Sequence, residues 1–340
     1  MIDLLRDELI KWYRMNGRSL PWREVTDPYQ IWLSEIILQQ TRVNQGMPYY
    51  FKFVEKYKTV HDLANASEQD VLNTWQGLGY YSRARNLHTT AKYISIELNG
   101  VFPDNYDDIL KLKGVGAYTA AAIASAAFNQ PKAVLDGNVF RVLARIFNID
   151  KNIADVKSRP IFQKIADDLL DQKNPAEFNQ AMMDFGATQC SPKSPNCITC
   201  PVNQHCKAVQ LGRVSQLPVK VKNLKRTTRY FHFFVSEQKT NVYLQKRVSK
   251  GIWQGLFQLP LIETKGAQFD TELTEAFMHN NSVPKLVFEK MHKLTHQDIV
   301  ARFYELKGDI KVNGYTKVHV DELSNYPIPR LIDMFFQSWL

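Results

Sequence analysis

The chain has 340 residues, 44% hydrophobic and 12% aromatic, which is enough apolar matter for two or three packed domains. No apolar run approaches the roughly 20 residues that cross a bilayer, which excludes a single membrane-spanning helix. The net charge of +9 is uneven: residues 1–212 carry 24 Lys and Arg against 22 Asp and Glu, and residues 213–340 carry 19 against 12.

The opening stretch, MIDLLRDELIKWYRMNGRSLPWRE, alternates charged and apolar residues at helical spacing and does not read as a secretory signal. DPYQIWLSEIILQQTRVNQGMPYYFKFVEKY continues with apolar residues three and four apart, and Asp27-Pro28 suits a helix start. Further helices are expected around residues 67–76, 81–98, 106–112, 117–128, 136–147, 158–171 and 175–187. Residues 213–226, RVSQLPVKVKNLKR, lose that periodicity and read as a basic linker. RYFHFFVS and TNVYLQKR then read as strands separated by EQK, a hairpin-like pattern. GIWQGLFQLP follows, then a helical DTELTEAFMHN, then more strands from about residue 286 to 318. The expected organisation is a mainly α domain over residues 1–212, a linker over 213–226 and an α+β domain over 227–340.

Between Asp184 and Glu237 there is no acidic residue, whereas Lys193, Lys207, Arg213, Lys220, Lys222, Lys225, Arg226 and Arg229 lie in that interval. A solvated linker would do this, and so would an electrostatic track for a phosphate backbone. The same region holds every cysteine, Cys190, Cys197, Cys200 and Cys206, in CSPKSPNCITCPVNQHC. Four thiols in a proline-broken loop read as metal ligands, suited to zinc or to an iron–sulfur cluster; the spacing by itself does not choose. Thiols held as ligands suit a reducing cytosol.

Upstream, LKLKGVGAYTAAAIASAAF reads as a helix, a turn at Gly114 and Gly116, and a second helix whose N-terminus can hold an anion. The alternative is a plain helix–helix turn. Asp136, in VLDGNVFRVLARIF, sits where a carboxylate caps the following helix. Glu35 is flanked by Ile31, Trp32, Leu33, Ile36, Ile37 and Leu38. Either it faces solvent on a polar stripe, which the pattern alone favours, or it lies in an apolar cavity with a raised pKa.

SEIILQQTRV, WQGLGYYSRARNL, LKGVGAYTAAAIASAAF, VLDGNVFRVLAR and NQAMMDFGATQC, followed by the cysteine loop, resemble the MutY-type adenine DNA glycosylases of the helix-hairpin-helix superfamily. The resemblance is dense over residues 18–212 and weaker beyond. It implies a [4Fe–4S] cluster on Cys190, Cys197, Cys200 and Cys206, Glu35 as general acid, and Asp136 as the carboxylate that steadies a sugar cation. It implies that Gln40, Leu78 and Tyr80 wedge into the base stack and that Trp22, Arg23 and Gln180 line an adenine pocket. Tyr118 stands where the glycosylase/lyases of the superfamily carry a Schiff-base lysine, which implies base excision without strand cleavage. Lys113 departs from the family, which has proline there.

The C-terminal part resembles the Nudix-like domain with which these enzymes read 8-oxoguanine, most clearly in GIWQGLFQLP; the acidic magnesium-binding box is absent. Where the family has Phe-Ser-His, this chain has Leu294-Thr295-His296, so Thr295 and His296 are the expected 8-oxoguanine contacts. The implied partner is double-stranded DNA with adenine opposite 8-oxoguanine or guanine, bound by a monomeric cytoplasmic protein, nucleoid-associated if bacterial. Two rivals are an endonuclease III-like lyase for oxidised pyrimidines and a non-catalytic, zinc-stabilised DNA-binding protein.

Overall fold

The computed structural model describes residues 1–221, 226–268, 283–308, 310 and 312–340. The helix expected over DTELTEAFMHN, together with Lys222 and Lys225, lies outside the described residues. The helices run in chain order as α1 (Ile2–Asn16), α2 (Pro28–Leu38), α3 (Val43–Lys56), α4 (Val60–Asn65), α5 (Glu68–Thr74), α6 (Ser82–Glu97), α7 (Tyr106–Lys111), α8 (Ala117–Phe128), α9 (Gly137–Ile146), α10 (Arg159–Leu169), α11 (Pro175–Asp184) and α12 (Lys207–Gln210). The chain divides into two compact units, one of Met1–Ala64 with Thr89–Lys222 and one of Asn65–His88 with Asn223–Leu340.

Local chemistry sets the boundaries in the first unit. Asp27 accepts from Tyr29 N and Pro28 stands at the first position of α2, where no N–H is missed. Asn105 accepts from Asp108 N to start α7, and Asn129, at φ 51°, closes α8 in the left-handed region. The long apolar stretch after Asp27 forms two helices rather than one, because Gln40 adopts φ 57° and ends the first. Leu5, Leu9 and Trp12 of α1 share a core with Val139, Val142 and Leu143 of α9, Phe162 of α10, and Phe178 and Met182 of α11.

The second unit holds two sheets and a final helix. Its strands are β1 (Thr227–Ser236), β2 (Asn241–Lys246), β3 (Phe257–Gln258), β4 (Leu261–Thr264), β5 (Lys285–Lys293), β6 (Gln297–Leu306) and β7 (Thr316–His319), followed by α13 (Arg330–Trp339). One sheet has the order β4-β1-β6-β5 and the other β3-β2-β7. The hairpin expected from β1 and β2 does not form. Both edges of β1 are occupied, by β4 antiparallel and by β6 in ten parallel pairs, so β2 turns away into the other sheet. Phe231 and Phe233 of β1 and Phe303 of β6 are fully buried against α13, where the Phe303 and Phe335 rings stack at 4.2 Å.

Residues 65–88 belong to this unit, with Leu72 packed at Gly255 and several polar contacts. Gln69 Nε2 and Asn73 Nδ2 both donate to Asn325 O at 2.8 Å, Lys246 Nζ lies 3.3 Å from Glu68 Oε1, and Arg85 Nη1 donates to Gln254 O.

Candidate active site

Helix α2 has no polar face: Tyr29 and every residue from Ile31 to Ile37 are buried. Glu35 is carried inside with them and is only 9% exposed, which corrects the solvent-facing reading that the sequence pattern favours. Burial raises its pKa to about 7; a hydrogen bond from Tyr118 and the charge of Arg23 act downward, and the charge of Asp136 acts upward. The residue is an acid that holds its proton close to neutrality.

Asp136 is the N-cap of α9, and its Oδ1 accepts from Asn138 N at 2.8 Å and Val139 N at 2.7 Å. Its Oδ2 accepts a third donor, Asn138 Nδ2, at 2.8 Å. Burial pushes its pKa up, and the three N–H donors and Arg141 oppose that by favouring the anion. Capping and a role in the site are therefore not alternatives for Asp136, because the caps leave it facing Glu35 and Tyr118, whose pKa values it raises.

Tyr118, in the first turn of α8, completes the cluster. Its hydroxyl donates to Met183 Sδ at 3.4 Å, and burial, then the charge of Glu35, hold its pKa well above the usual phenol range. One turn before Met183 on α11, Gln180 is half-buried. Trp22 is buried edge-on to Tyr50, with ring centroids 5.2 Å apart. Arg23 lies near enough to lower the pKa of Glu35, but its guanidinium is forked onto Asp184 at 2.7 and 2.8 Å. The turn before α8 needs a glycine at 114, where φ is 84°; Gly116 has an ordinary φ, and both are exposed.

The other expected DNA contacts fall at two strained turns. Gln40 is exposed at φ 57°, and beside it Gln39 Nε2 donates to Thr119 Oγ1 at 3.2 Å. Tyr80, in the second unit, is 50% exposed at φ 48°. Leu78 is only 6% exposed, so it reaches a base stack only if its turn moves. Thr295 and His296 form the exposed tip of the β5–β6 hairpin, closed by Leu294 N donating to Gln297 O at 2.9 Å. The Tyr80 and Thr295 hydroxyls meet there, 2.8 Å apart.

The four cysteines are free thiols that line one cavity with Arg145, Phe185, Pro195, Val202, Val209 and Val214. Burial raises the Cys197 and Cys206 thiols and pushes Cys200 up to about 12, which favours the protonated thiols. Among the described residues no three His, Cys, Asp or Glu gather around a point where a single ion would sit. Four soft donors around one cavity fit a thiolate-bound iron–sulfur cluster. Arg145, 2% exposed, closes the loop: it donates to Cys190 Sγ at 3.3 Å, Ser191 O at 2.8 Å, Pro192 O at 3.0 Å and Leu217 O at 3.0 Å.

Three of the basic residues counted as a phosphate track are engaged elsewhere, Arg213 with Asp150, Arg226 with Asp298 and Arg229 with Glu263. Lys193, Lys207 and Lys220 are exposed.

Sequence reasoning missed Asn138, Arg141, Arg18, Asp184 and Gly186. Asn138 Oδ1 accepts from Arg141 Nη2 at 2.9 Å, and Arg141 Nε donates to Cys190 O at 2.8 Å, so a polar chain joins Asp136 to the cysteine loop. Gly186 lets that loop approach: a Cβ there would stand 2.7 Å from Asn138 Cβ. The available signals were an aspartate inside the apolar run FNQAMMDFG and two arginines around Ser19–Trp22.

Residues 33–167 match the model of the HhH-GPD superfamily base excision DNA repair proteins, and residues 232–338 match that of the NUDIX domain. The adenine DNA glycosylase of Buchnera aphidicola subsp. Baizongia pistaciae is 37% identical over 297 residues, covering 85% of this chain and 82% of that protein. The adenine DNA glycosylase of Arabidopsis thaliana is 37% identical over 94% of this chain and 58% of its own length, and that of Homo sapiens 42% identical over 64% and 41%. Among solved structures, a thermostable thymine-DNA glycosylase superposes with a TM-score of 0.58 at 28% identity, covering 62% of this chain and 97% of that one. An endonuclease III–DNA complex gives 0.54 at 22% identity over 62% and 98%, a likeness of fold. With a helical HhH-GPD region followed by a NUDIX domain and this identity over most of both chains, the chain belongs to the adenine DNA glycosylases, base excision repair enzymes of the HhH-GPD superfamily.

Proposed function

We propose that this enzyme hydrolyses the N-glycosidic bond of adenine paired with 8-oxoguanine or guanine and leaves the strand uncut. The observation that carries the reading is the pair of carboxyls: Glu35, kept protonated by burial to about pH 7, beside Asp136, whose three N–H donors favour its anion. An N-glycosidic bond needs both. Adenine leaves once it is protonated, here at N7 by Glu35, and the positive charge that grows on the deoxyribose faces the Asp136 carboxylate. Water then adds to the sugar and gives its proton to the Glu35 carboxylate, because the position of a Schiff-base lysine is filled by Tyr118, whose phenol stays protonated.

The adenine reaches this site by rotating out of the duplex, assisted by Gln40, Leu78 and Tyr80 at their turns, and is held by Trp22, Arg23 and Gln180. Backbone N–H groups at the start of α8, after Gly114 and Gly116, take a phosphate. Thr295 and His296 at the hairpin tip read the opposite base. Cys190, Cys197, Cys200 and Cys206 hold a [4Fe–4S] cluster, which when bound cross-links the loop and takes no part in hydrolysis.

The test is a cleavage assay on duplexes containing A:8-oxoG, A:G and A:C, with and without alkali. Strand breaks only after alkali, ranked A:8-oxoG first, support the reading. Breaks without alkali, through a borohydride-trappable adduct, would return it to the lyases.

A further inference from the structure

Asp184 ends α11 with none of its surface exposed, yet five N–H donors from two arginines converge on it. Arg18 gives N and Nε at 2.9 Å and Nη2 at 2.5 Å; Arg23 gives Nη1 at 2.8 Å and Nη2 at 2.7 Å. The Arg23 side chain is 10% exposed, its Nη1 also reaches Arg18 O at 2.8 Å, and its Nε is a buried donor with no partner among the described residues. We propose that Asp184 is a positioning residue for the acid: it holds the Arg23 guanidinium in a fork that keeps this cation off the Glu35 carboxyl, so that Glu35 retains the proton it delivers. The proposal rests on the reading of Glu35 as the general acid.

The surrounding charges leave few other outcomes. Glu35 is faced by Tyr118 from α8, Asp136 from the start of α9 and Arg23 from the turn Pro21–Arg23. Arg23 is faced by Asp184 from α11, by Arg18, and by the Tyr13 ring of α1 at 5.9 Å. Glu177, the other carboxylate whose charge reaches Tyr13, is bound by Arg14 at 2.8 and 2.9 Å. With Asp184 neutral, Arg23 becomes a buried cation without its counter-ion, which is strongly unfavourable. Besides Asp184, the carboxyl whose proton affinity Arg23 lowers is Glu35. Arg23 is the smallest of the four influences on Glu35 while its charge is paired, and the same cation left unpaired favours the carboxylate more strongly.

The experiment is the pH profile of the single-turnover rate for Asp184→Asn and two charge-balanced double variants, Asp184→Asn with Arg18→Gln and Asp184→Asn with Arg23→Gln. Leaving Arg23 unpaired moves the midpoint of the alkaline limb down by about one pH unit or more, in the single variant and in the Arg18 double. Removing Arg23 as well returns the midpoint to the wild-type value or above it. Should the single variant fail to melt cooperatively, the two doubles decide, since each loses one anion and one cation. Equal midpoints in the doubles, or a slower Asp184→Asn enzyme with an unmoved midpoint, overturn the proposal and leave the acid assignment standing. A limb that persists in Glu35→Gln overturns the acid assignment and the proposal together.

Discussion

The hydroxyls of Tyr80 and Thr295 lie 2.8 Å apart, 215 residues apart in sequence, and both are exposed within the second compact unit. Residues expected to wedge the stack and to read the opposite base thus share a hydrogen bond. Tyr80→Phe and Thr295→Ala should each lower the preference for A:8-oxoG over A:G by up to about five-fold, the equivalent of one neutral hydrogen bond near 1 kcal/mol. The double variant should be no worse than either single one, and Thr295→Ser should keep the preference. Additive losses in this cycle would mean that the two residues act independently.

Asn138 Nδ2 donates to Asp136 Oδ2 at 2.8 Å and, through Arg141, ties that carboxylate to Cys190 O. Asn138→Ala should slow base excision about 10-fold or more, because a hydrogen bond to a charged group is worth about 1.5–3 kcal/mol. Duplex affinity should change little. A single-turnover rate within two-fold of wild type, by order of magnitude, would sink this role.

Cys200 is one of four thiols around a single cavity. Cys200→Ser replaces a soft ligand with a poor one, so bound iron should be lost and DNA affinity should fall with the loop. Iron analysis together with absorbance near roughly 400 nm checks this. Full iron content with normal binding counts against the cluster assignment.

Glu35 also leaves a mark on stability. Its carboxyl titrates at 4.5 when unperturbed and about 7 in the fold, so between those values the native state holds a proton that the unfolded chain has released. The stability tied to this proton is complete below pH 4.5 and is lost as pH rises through 7, on the order of 3 kcal/mol in all. Asp184, held at about 2 because hydrogen bonds from Arg23 and Arg18 outweigh its burial, has the opposite sign: its contribution is present above 3.8 and is lost as pH falls through 2. It therefore does not interfere between pH 5 and 8. Denaturant unfolding at those two pH values should find wild type weakening relative to Glu35→Gln, and parallel pH dependence in the two proteins would contradict a buried, protonated Glu35.

Most helices were legible because their apolar spacing and caps agree, as at Asp27-Pro28 and at Asp136. What failed was partner choice. Nothing local in RYFHFFVS shows that β6, some 60 residues on, fills the edge that a hairpin would use. Nothing in residues 65–88 shows that they pack with the C-terminal sheets, since contacts such as Asn73 to Asn325 join positions about 250 residues apart. The burial of Glu35 contradicts its polarity, and it is tolerated because protonation removes the charge. Arg141 and Asp184 were missed for a related reason: each binds partners more than 40 residues away in the chain, which composition and spacing do not encode.

The most direct test of the account is the single-turnover rate of Glu35→Gln on an A:8-oxoG duplex near pH 7, measured with duplex affinity and iron content verified. Losing the proton donor should slow excision by about 100-fold or more while binding survives, because affinity comes chiefly from phosphate contacts. A rate near wild type in a folded, DNA-binding Glu35→Gln enzyme would contradict the claim that this buried carboxyl protonates the departing adenine.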